Sequence, residues 1–284
     1  MTHFAALIDR MTAGKAGLTL SIPDNWKQGR TLYGGLTTGL CYAAAQHQLN
    51  GLPPLRSCQI SFVGPVTDDP HLTAHILRQG RNVSAVQVEM KIDPPSDESK
   101  TVAPKTVTPK TVTPKTVAMA NMLFGLSRAS KLTVNYPAPM ANAPEEVPHF
   151  FPKAVEGFVP AFTKNFDIRL IEGERPMSGS ERGYIRVWAR HKDESSRHGM
   201  ASFLTLGDVL PPAALPMFKQ MGPVSSMNWQ INILEDHLET EDGWWQIETK
   251  LTSSKGGYSS QIMRYWNSAG ILCAEATQSV TIFI

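Results

Sequence analysis

The chain has 284 residues, 42% hydrophobic and 18% charged, enough apolar material for a sizeable core, which excludes bulk disorder and points to a soluble globular protein of about two domains. With 27 Lys+Arg against 25 Asp+Glu the net charge is +2, far short of the basic excess of a phosphate-neutralising surface, so no nucleic acid partner is expected. Cys41, Cys58 and Cys273 stand singly in apolar stretches and read as buried free thiols rather than a zinc site or disulfide framework. The N-terminus lacks a basic region followed by an apolar run, and no stretch approaches the roughly 18 apolar residues of a membrane span. A reduced, cytoplasmic setting without membrane insertion is expected.

In chain order, Tyr33-Gly34-Gly35 leads a helix-like run from Gly34 to Gln48. Leu36, Leu40, Cys41, Ala43, Ala44 and Ala45 make it apolar nearly all round, and Gly34, Gly35 and Gly39 should let a sheet approach closely. Strand-like runs follow at 55–62 and 72–77, then a turn at Gly80-Arg81-Asn82, then a strand over 83–91 that alternates apolar and polar residues. The stretch 101–115 repeats Thr-Val-Ala/Thr-Pro-Lys three times, and its regular prolines and lysines suit neither a helix nor a central strand. With a second strand over 116–124 behind it, the segment 98–116 reads as an insertion in a β-hairpin. A Pro-rich stretch from Tyr136 to Pro148 marks a domain connection, giving an N-terminal domain over 1–136, a linker over 137–160 and a C-terminal domain over 161–284.

The second half repeats the order of the first. A run from Met200 to Phe218, which must end, kink or restart at Pro211-Pro212, precedes strands over 225–232 and 244–250, a turn at Lys255-Gly256-Gly257, and strands over 258–265 and 271–283. Aligned on their alanines, Ala118 and Ala120 match Ala274 and Ala276, which sets Met122 opposite Gln278 and Phe124 opposite Val280. A helix followed by several long strands, twice, describes an α+β architecture in which each antiparallel sheet wraps a central helix.

Several chemistries lack their motif. There is no Gly-x-Ser-x-Gly elbow and no complete phosphate loop, and His71 and His75 fall on a strand-like run rather than a helix face, so no metal is expected. Asp208 stands out because its neighbours in Leu206-Gly207-Asp208-Val209-Leu210 are apolar or glycine; such a carboxylate caps the helix break, faces a wet interface, or orients or deprotonates water. Ser226 and Gln278 are polar residues within strand-like runs. Because Met122 stands where the second half has Gln278, one active site per chain is expected.

These residues resemble the type II (TesB-like) acyl-CoA thioesterases, which have a double hotdog fold. The resemblance spans nearly the whole chain, through Tyr33-Gly34-Gly35, Gln59 to Val66, Gly80-Arg81, Leu206-Gly207-Asp208 with Pro212, Ser225 to Trp229, and Ala274 to Gln278. It implies that Asp208, Ser226 and Gln278 hold the attacking water for hydrolysis of a fatty acyl-CoA to free acid and CoA, with no cofactor. Tyr33, Gly34 and Gly35 at the helix start, and Arg81 and Lys255 at equivalent turns for the CoA phosphates, complete the expected substrate contacts. A homodimer or higher homo-oligomer is expected because hotdog sheets tend to join edges. The sequence departs from the family at Asn228, where Asp often precedes the Trp, and in the Lys/Pro repeat. Other readings are a non-catalytic acyl-CoA-binding protein, a hotdog hydratase or dehydratase, for which no histidine lies between Met200 and Asn232, and an adaptor with the lysine repeat as a docking arm.

Overall fold

The structure, a computed structural model, describes residues 1–14, 17–93, 113–155, 157–220, 222–236 and 238–284. The repeat expected as a hairpin insertion therefore lies outside the described residues through position 112; the flanking strands are described. A short helix α1 (Phe4–Ile8) opens the chain, followed by β1 (Thr12–Gly14), β2 (Gly17–Thr19) and a small ribbon of β3 (Lys27–Gln28) and β4 (Thr31–Leu32). Then come α2 (Gly34–Gln48), β5 (Leu55–Phe62), β6 (Pro70–Gln79), β7 (Val83–Ile92) and β8 (Lys115–Gly125). The second half has β9 (Phe166–Gly173), β10 (Tyr184–His191), α3 (Met200–Gly207), β11 (Val224–Ile233), β12 (Trp245–Lys255), β13 (Tyr258–Trp266) and β14 (Leu272–Ile282).

Apart from the β3–β4 ribbon, each half runs strand, strand, helix, then four strands. The two strands ahead of each helix were not read from the sequence. β9 and β10 mix charged with apolar residues, and β1 and β2 are only three residues each, too short to display a period.

The halves do not form separate sheets. Their strands make one antiparallel sheet in the order β1-β2-β6-β7-β8-β5-β11-β14-β13-β12-β10-β9, joined where β5 pairs β11 through Ile60↔Trp229 and Cys58↔Ile231. The two hotdog sheets expected from the sequence are thus joined edge to edge inside the chain. One correction concerns the Met200–Phe218 run, of which only Met200–Gly207 is α-helical. Pro211 and Pro212 offer no N–H, and the helix stops three residues before them.

α2 and α3 cross against each other within the core rather than each meeting only a sheet. A Cβ on Gly35 would lie 2.3 Å from the Thr205 carbonyl oxygen, and one on Gly39 would lie 2.1 Å from Thr205 Oγ1 and 2.9 Å from the Ala201 oxygen. The glycines therefore admit the second helix, where the sequence suggested a sheet; only Gly34 faces a strand side chain, Phe62, with its Cζ 3.1 Å from a built Cβ. This crossing brings the N-terminus of α2 beside the C-terminus of α3. Leu36, Leu40, Cys41, Ala44 and Ala45 on α2 are buried together with Val86, Val88, Met90, Val117, Ala120 and Phe124 of the sheet. Burying each large aliphatic side chain of that set contributes on the order of 1.5–3 kcal/mol.

Candidate active site

The end of α3 fixes Asp208. Helix termini leave carbonyls unpaired, and here two buried phenols fill that need: the Tyr33 hydroxyl donates to Thr205 O at 2.9 Å and the Tyr265 hydroxyl to Gly207 O at 2.8 Å. Gly207 cannot carry a side chain, because a Cβ there would lie 2.8 Å from the Trp229 ring. Asp208 follows as the residue closing the helix, with φ −98° and ψ 19°, and its carboxylate turns toward β11, β14 and the start of α2.

Ser226 reaches the same place through a β-bulge. On β11 the core-facing residues are Trp229, Ile231 and Ile233, and strict alternation would send position 226 outward. The ladder with β14 slips between Ser226 and Asn228, so Met227 is the extra residue and Ser226 pairs Val280 on the inner side. Asn228 serves this slip, its Oδ1 accepting the Ser279 N–H at 3.3 Å. That bond needs only an acceptor, which the amide supplies as a carboxylate would.

Gln278 closes the cluster. It is 3% exposed on β14, in line with buried Ala274, Ala276, Val280 and Ile282. Its Nε2 donates to Asp208 Oδ1 at 3.0 Å and to Ser226 Oγ at 3.0 Å, while its Oε1 accepts Gln261 Nε2 at 2.7 Å. The structure thus brings together the three residues singled out from the sequence and adds Gln261, which sequence reasoning missed. A buried Gln in the strand run 258–265 was the available signal, but alternation hides which face it occupies until the register is known.

The cluster is electrostatically primed. Burial pushes the Asp208 carboxyl from 3.8 up to about 7, partly opposed by the Gln278 N–H that favours the ionised form. The phenols of Tyr33 and Tyr265 are raised well above their ordinary value, by burial first and then by the Asp208 charge, so both stay protonated as donors. Across from the carboxylate, a Cβ on Gly34 would lie 2.5 Å from Asp208 Oδ2. No side chain caps the start of α2, so its first N–H groups carry the positive end of the helix dipole toward the cluster.

The remaining expected contacts divide. Gly34 borders Asp208, whereas Gly35 faces α3. Tyr33 is 1% exposed, stacked on Phe162 at 3.9 Å, and its hydroxyl is engaged with Thr205, where it positions α3. Arg81 lies away from the cluster. The row Gln278–Trp229–Ile60–Ala120–Val88 runs across five strands, and Arg81 lies seven residues beyond Val88, so it is about 23 Å along the strands and about 19 Å across them from Gln278. It lines an open pocket of about 500 Å³ with Arg78, Asn82 and Arg128. Lys255 pairs Tyr258, three residues from Gln261 on the strand beside β14, about 14 Å from Gln278. The two turns are equivalent in sequence, but the antiparallel β5–β11 seam sends them to opposite ends of the sheet.

The first half contains the same framework without the polar groups. β5 carries the same bulge, between Leu55 and Ser57, so Leu55 stands where Ser226 does. In the ladders Met122 takes the place of Gln278 and Val86 that of Gln261, and alignment of Gly35 and Gly39 with Ala201 and Thr205 sets Tyr42 opposite Asp208. Three of the four first-half positions are apolar, and the fourth, Tyr42, replaces the carboxylate with a phenol.

His191 is the histidine against α3: its Nε2 lies 3.1 Å from Ser202 O, burial drives its ring down to about 4, and it packs on Phe4 and Phe166. Ser202 is six residues, about 9 Å of helix, before Asp208, so this imidazole does not form the Asp–His pair of a dehydratase. The three cysteines are free and buried, as expected. Among the described residues no group of three or more His, Cys, Asp or Glu could hold a metal ion, and no helix is long and apolar enough to cross a membrane.

Two hotdog units fused through a continuous sheet, with a carboxylate, hydroxyl and amide gathered at the junction of their helices, define a double-hotdog protein with one polar site. Residues 22–125 match the acyl-CoA thioesterase N-terminal domain and residues 139–282 the acyl-CoA thioesterase C-terminal domain, so the chain belongs to the acyl-CoA thioesterase family. Similar solved structures include a hot dog fold protein of unknown function from Alicyclobacillus acidocaldarius (18% identity, TM-score 0.79, covering 100% of this chain and 99% of that one). Others are a putative thioesterase II from Thermobifida fusca (14% identity, TM-score 0.74, 100% and 98%) and the tesB protein of Mycobacterium avium subspecies paratuberculosis (17% identity, TM-score 0.70, 98% and 97%). No curated protein matches the sequence.

Proposed function

We propose that the chain hydrolyses a fatty acyl-CoA to the free acid and CoA by direct attack of water, with Asp208, Ser226 and Gln278 holding that water. The observation that carries this reading is the Gln278 Nε2, which donates to both Asp208 Oδ1 and Ser226 Oγ at 3.0 Å and leaves the second carboxylate oxygen facing the start of α2. A water bound by Asp208 and Ser226 attacks the thioester carbonyl carbon, and its proton passes to the Asp208 carboxylate. The uncapped N–H groups at the start of α2, around Gly34 and Gly35, stabilise the resulting oxyanion. Collapse breaks the C–S bond, and the proton held by Asp208 passes to the departing CoA sulfur. A carboxyl with a pKa of about 7 suits both transfers near neutral pH. The partners of Ser226 in the cluster include no histidine base, so the hydroxyl orients water rather than forming an acyl-enzyme. Lys255, on the same side of the sheet end as Ser226, is the cation offered to the CoA phosphates.

The test is release of free CoA, followed with a thiol reagent, over short, medium and long acyl-CoAs. Turnover by the wild type and a loss of about 10²-fold or more in Asp208→Ala support the reading, that being the scale of a lost general base. Binding of acyl-CoA without turnover would replace it with a thioester-binding role.

A further inference from the structure

Gln261 belongs to the hydrogen-bonded cluster but touches neither Asp208 nor Ser226. Its side chain is 1% exposed, and it faces Gln278 directly across the β13–β14 ladder. Its Oε1 accepts the N–H of buried Ala213 at 2.7 Å, and its Nε2 donates to Gln278 Oε1 at 2.7 Å. With its carbonyl taken by a backbone N–H, this amide can offer Gln278 only a donor. Gln278 must then answer with its carbonyl, which leaves its NH₂ for Asp208 and Ser226. A reversed Gln278 would set NH₂ against NH₂ on one side and a carbonyl against the carboxylate on the other.

We propose that Gln261 is a positioning residue for the hydrolytic reaction: anchored by the Ala213 N–H, it fixes the polarity of the Gln278 amide so that Gln278 donates to Asp208 and Ser226. This rests on the thioesterase reading above. The internal duplication supports it independently. The same position in the first half is Val86, in the half where Met122, Leu55 and Tyr42 replace the other three polar groups, so the sheet itself does not require a buried amide there.

Steady-state kinetics on the full chain test the proposal. Gln261→Met is expected to lower kcat about tenfold, the scale of one lost internal hydrogen bond, with KM within about twofold. In a Gln278→Met background the same change should cost nothing further; additive losses would overturn the proposal. Gln261→Glu separates positioning from simple tethering of the Ala213 loop, because it keeps the acceptor for that N–H but, ionised, cannot donate to Gln278. At pH 9 positioning requires this variant to be as slow as Gln261→Met and to recover, relative to wild type at the same pH, as pH falls, whereas tethering requires wild-type turnover throughout. If the wild type cleaves no acyl-CoA, carboxyl NMR titration of Asp208 reads the inference without turnover. A rise in its midpoint in Gln261→Met upholds the positioning role while the thioesterase reading fails, and an unchanged midpoint overturns the positioning role.

Discussion

Replacing Asp208 by Asn should cost activity and gain stability, with a pH signature that isolates the cause. In the folded chain the carboxyl keeps its proton up to about pH 7, whereas the unfolded chain releases it near 3.8. Between those values the folded state binds more protons, so this group's contribution to stability falls as pH rises, and above about pH 7 the full penalty of an ionised, desolvated carboxylate is present. A shift of about 3 units corresponds to about 4 kcal/mol as a ceiling; because Asp208 retains some contact with solvent, about 2 kcal/mol is the working figure. Asp208→Asn keeps the shape and an acceptor for Gln278 Nε2 but has no such slope. Chemical denaturation at pH 8.5 should find the variant more stable by about 2 kcal/mol, and the gap should close toward pH 4. Its CoA release should fall by about 10²-fold or more, while wild-type kcat/KM rises with pH through about 7. A variant less stable than wild type at pH 8.5, or a gap unchanged at pH 4, would refute the claim that Asp208 is held ionised against a burial penalty.

The two glycines at the start of α2 should separate chemistry from folding. In Gly34→Ala the new methyl meets Asp208 Oδ2 and the Phe62 ring, so turnover is expected to drop at least tenfold with the thermal midpoint nearly kept. In Gly35→Ala it meets the Thr205 backbone oxygen and the Tyr33 hydroxyl, and a loss of about 2–4 kcal/mol by denaturant titration is expected from forcing the helices apart. For the cations, Lys255→Ala should raise KM for acyl-CoA severalfold, more at low salt, whereas Arg81→Ala should leave it within about twofold; the reverse pattern would refute the position derived from the seam.

How much was legible followed from the range of each signal. α2 was readable to its ends because its apolar and small residues are contiguous and no side chain is needed to cap it. β7 and β8 were readable because alternation survives on strands with one buried face: Val86, Val88 and Met90 are buried with polar residues between them. Asp208 could be picked out as a carboxylate among apolar neighbours, and Ser226 and Gln278 through the resemblance, as polar residues within strand-like runs.

What escaped the sequence are relations between distant strands. The face occupied by Ser226 depends on a one-residue slip against β14, and a slip reverses every side chain beyond it while leaving composition untouched. Gln261 and Gln278 become neighbours only because β13 and β14 are in that particular register. Arg81 and Lys255 look interchangeable in a duplicated sequence, yet duplication followed by antiparallel joining makes equivalent positions diverge in space rather than converge. The same geometry explains why one chain needs only one polar site. The helix crossing that sets Gly34 against Asp208 has a counterpart at Tyr42, and there the framework of bulge, strand row and helix end has been retained while each polar group has become apolar or aromatic. The fold therefore tolerates that position without a carboxylate, and the burial penalty borne at Asp208 is a property of the chemistry rather than of the architecture.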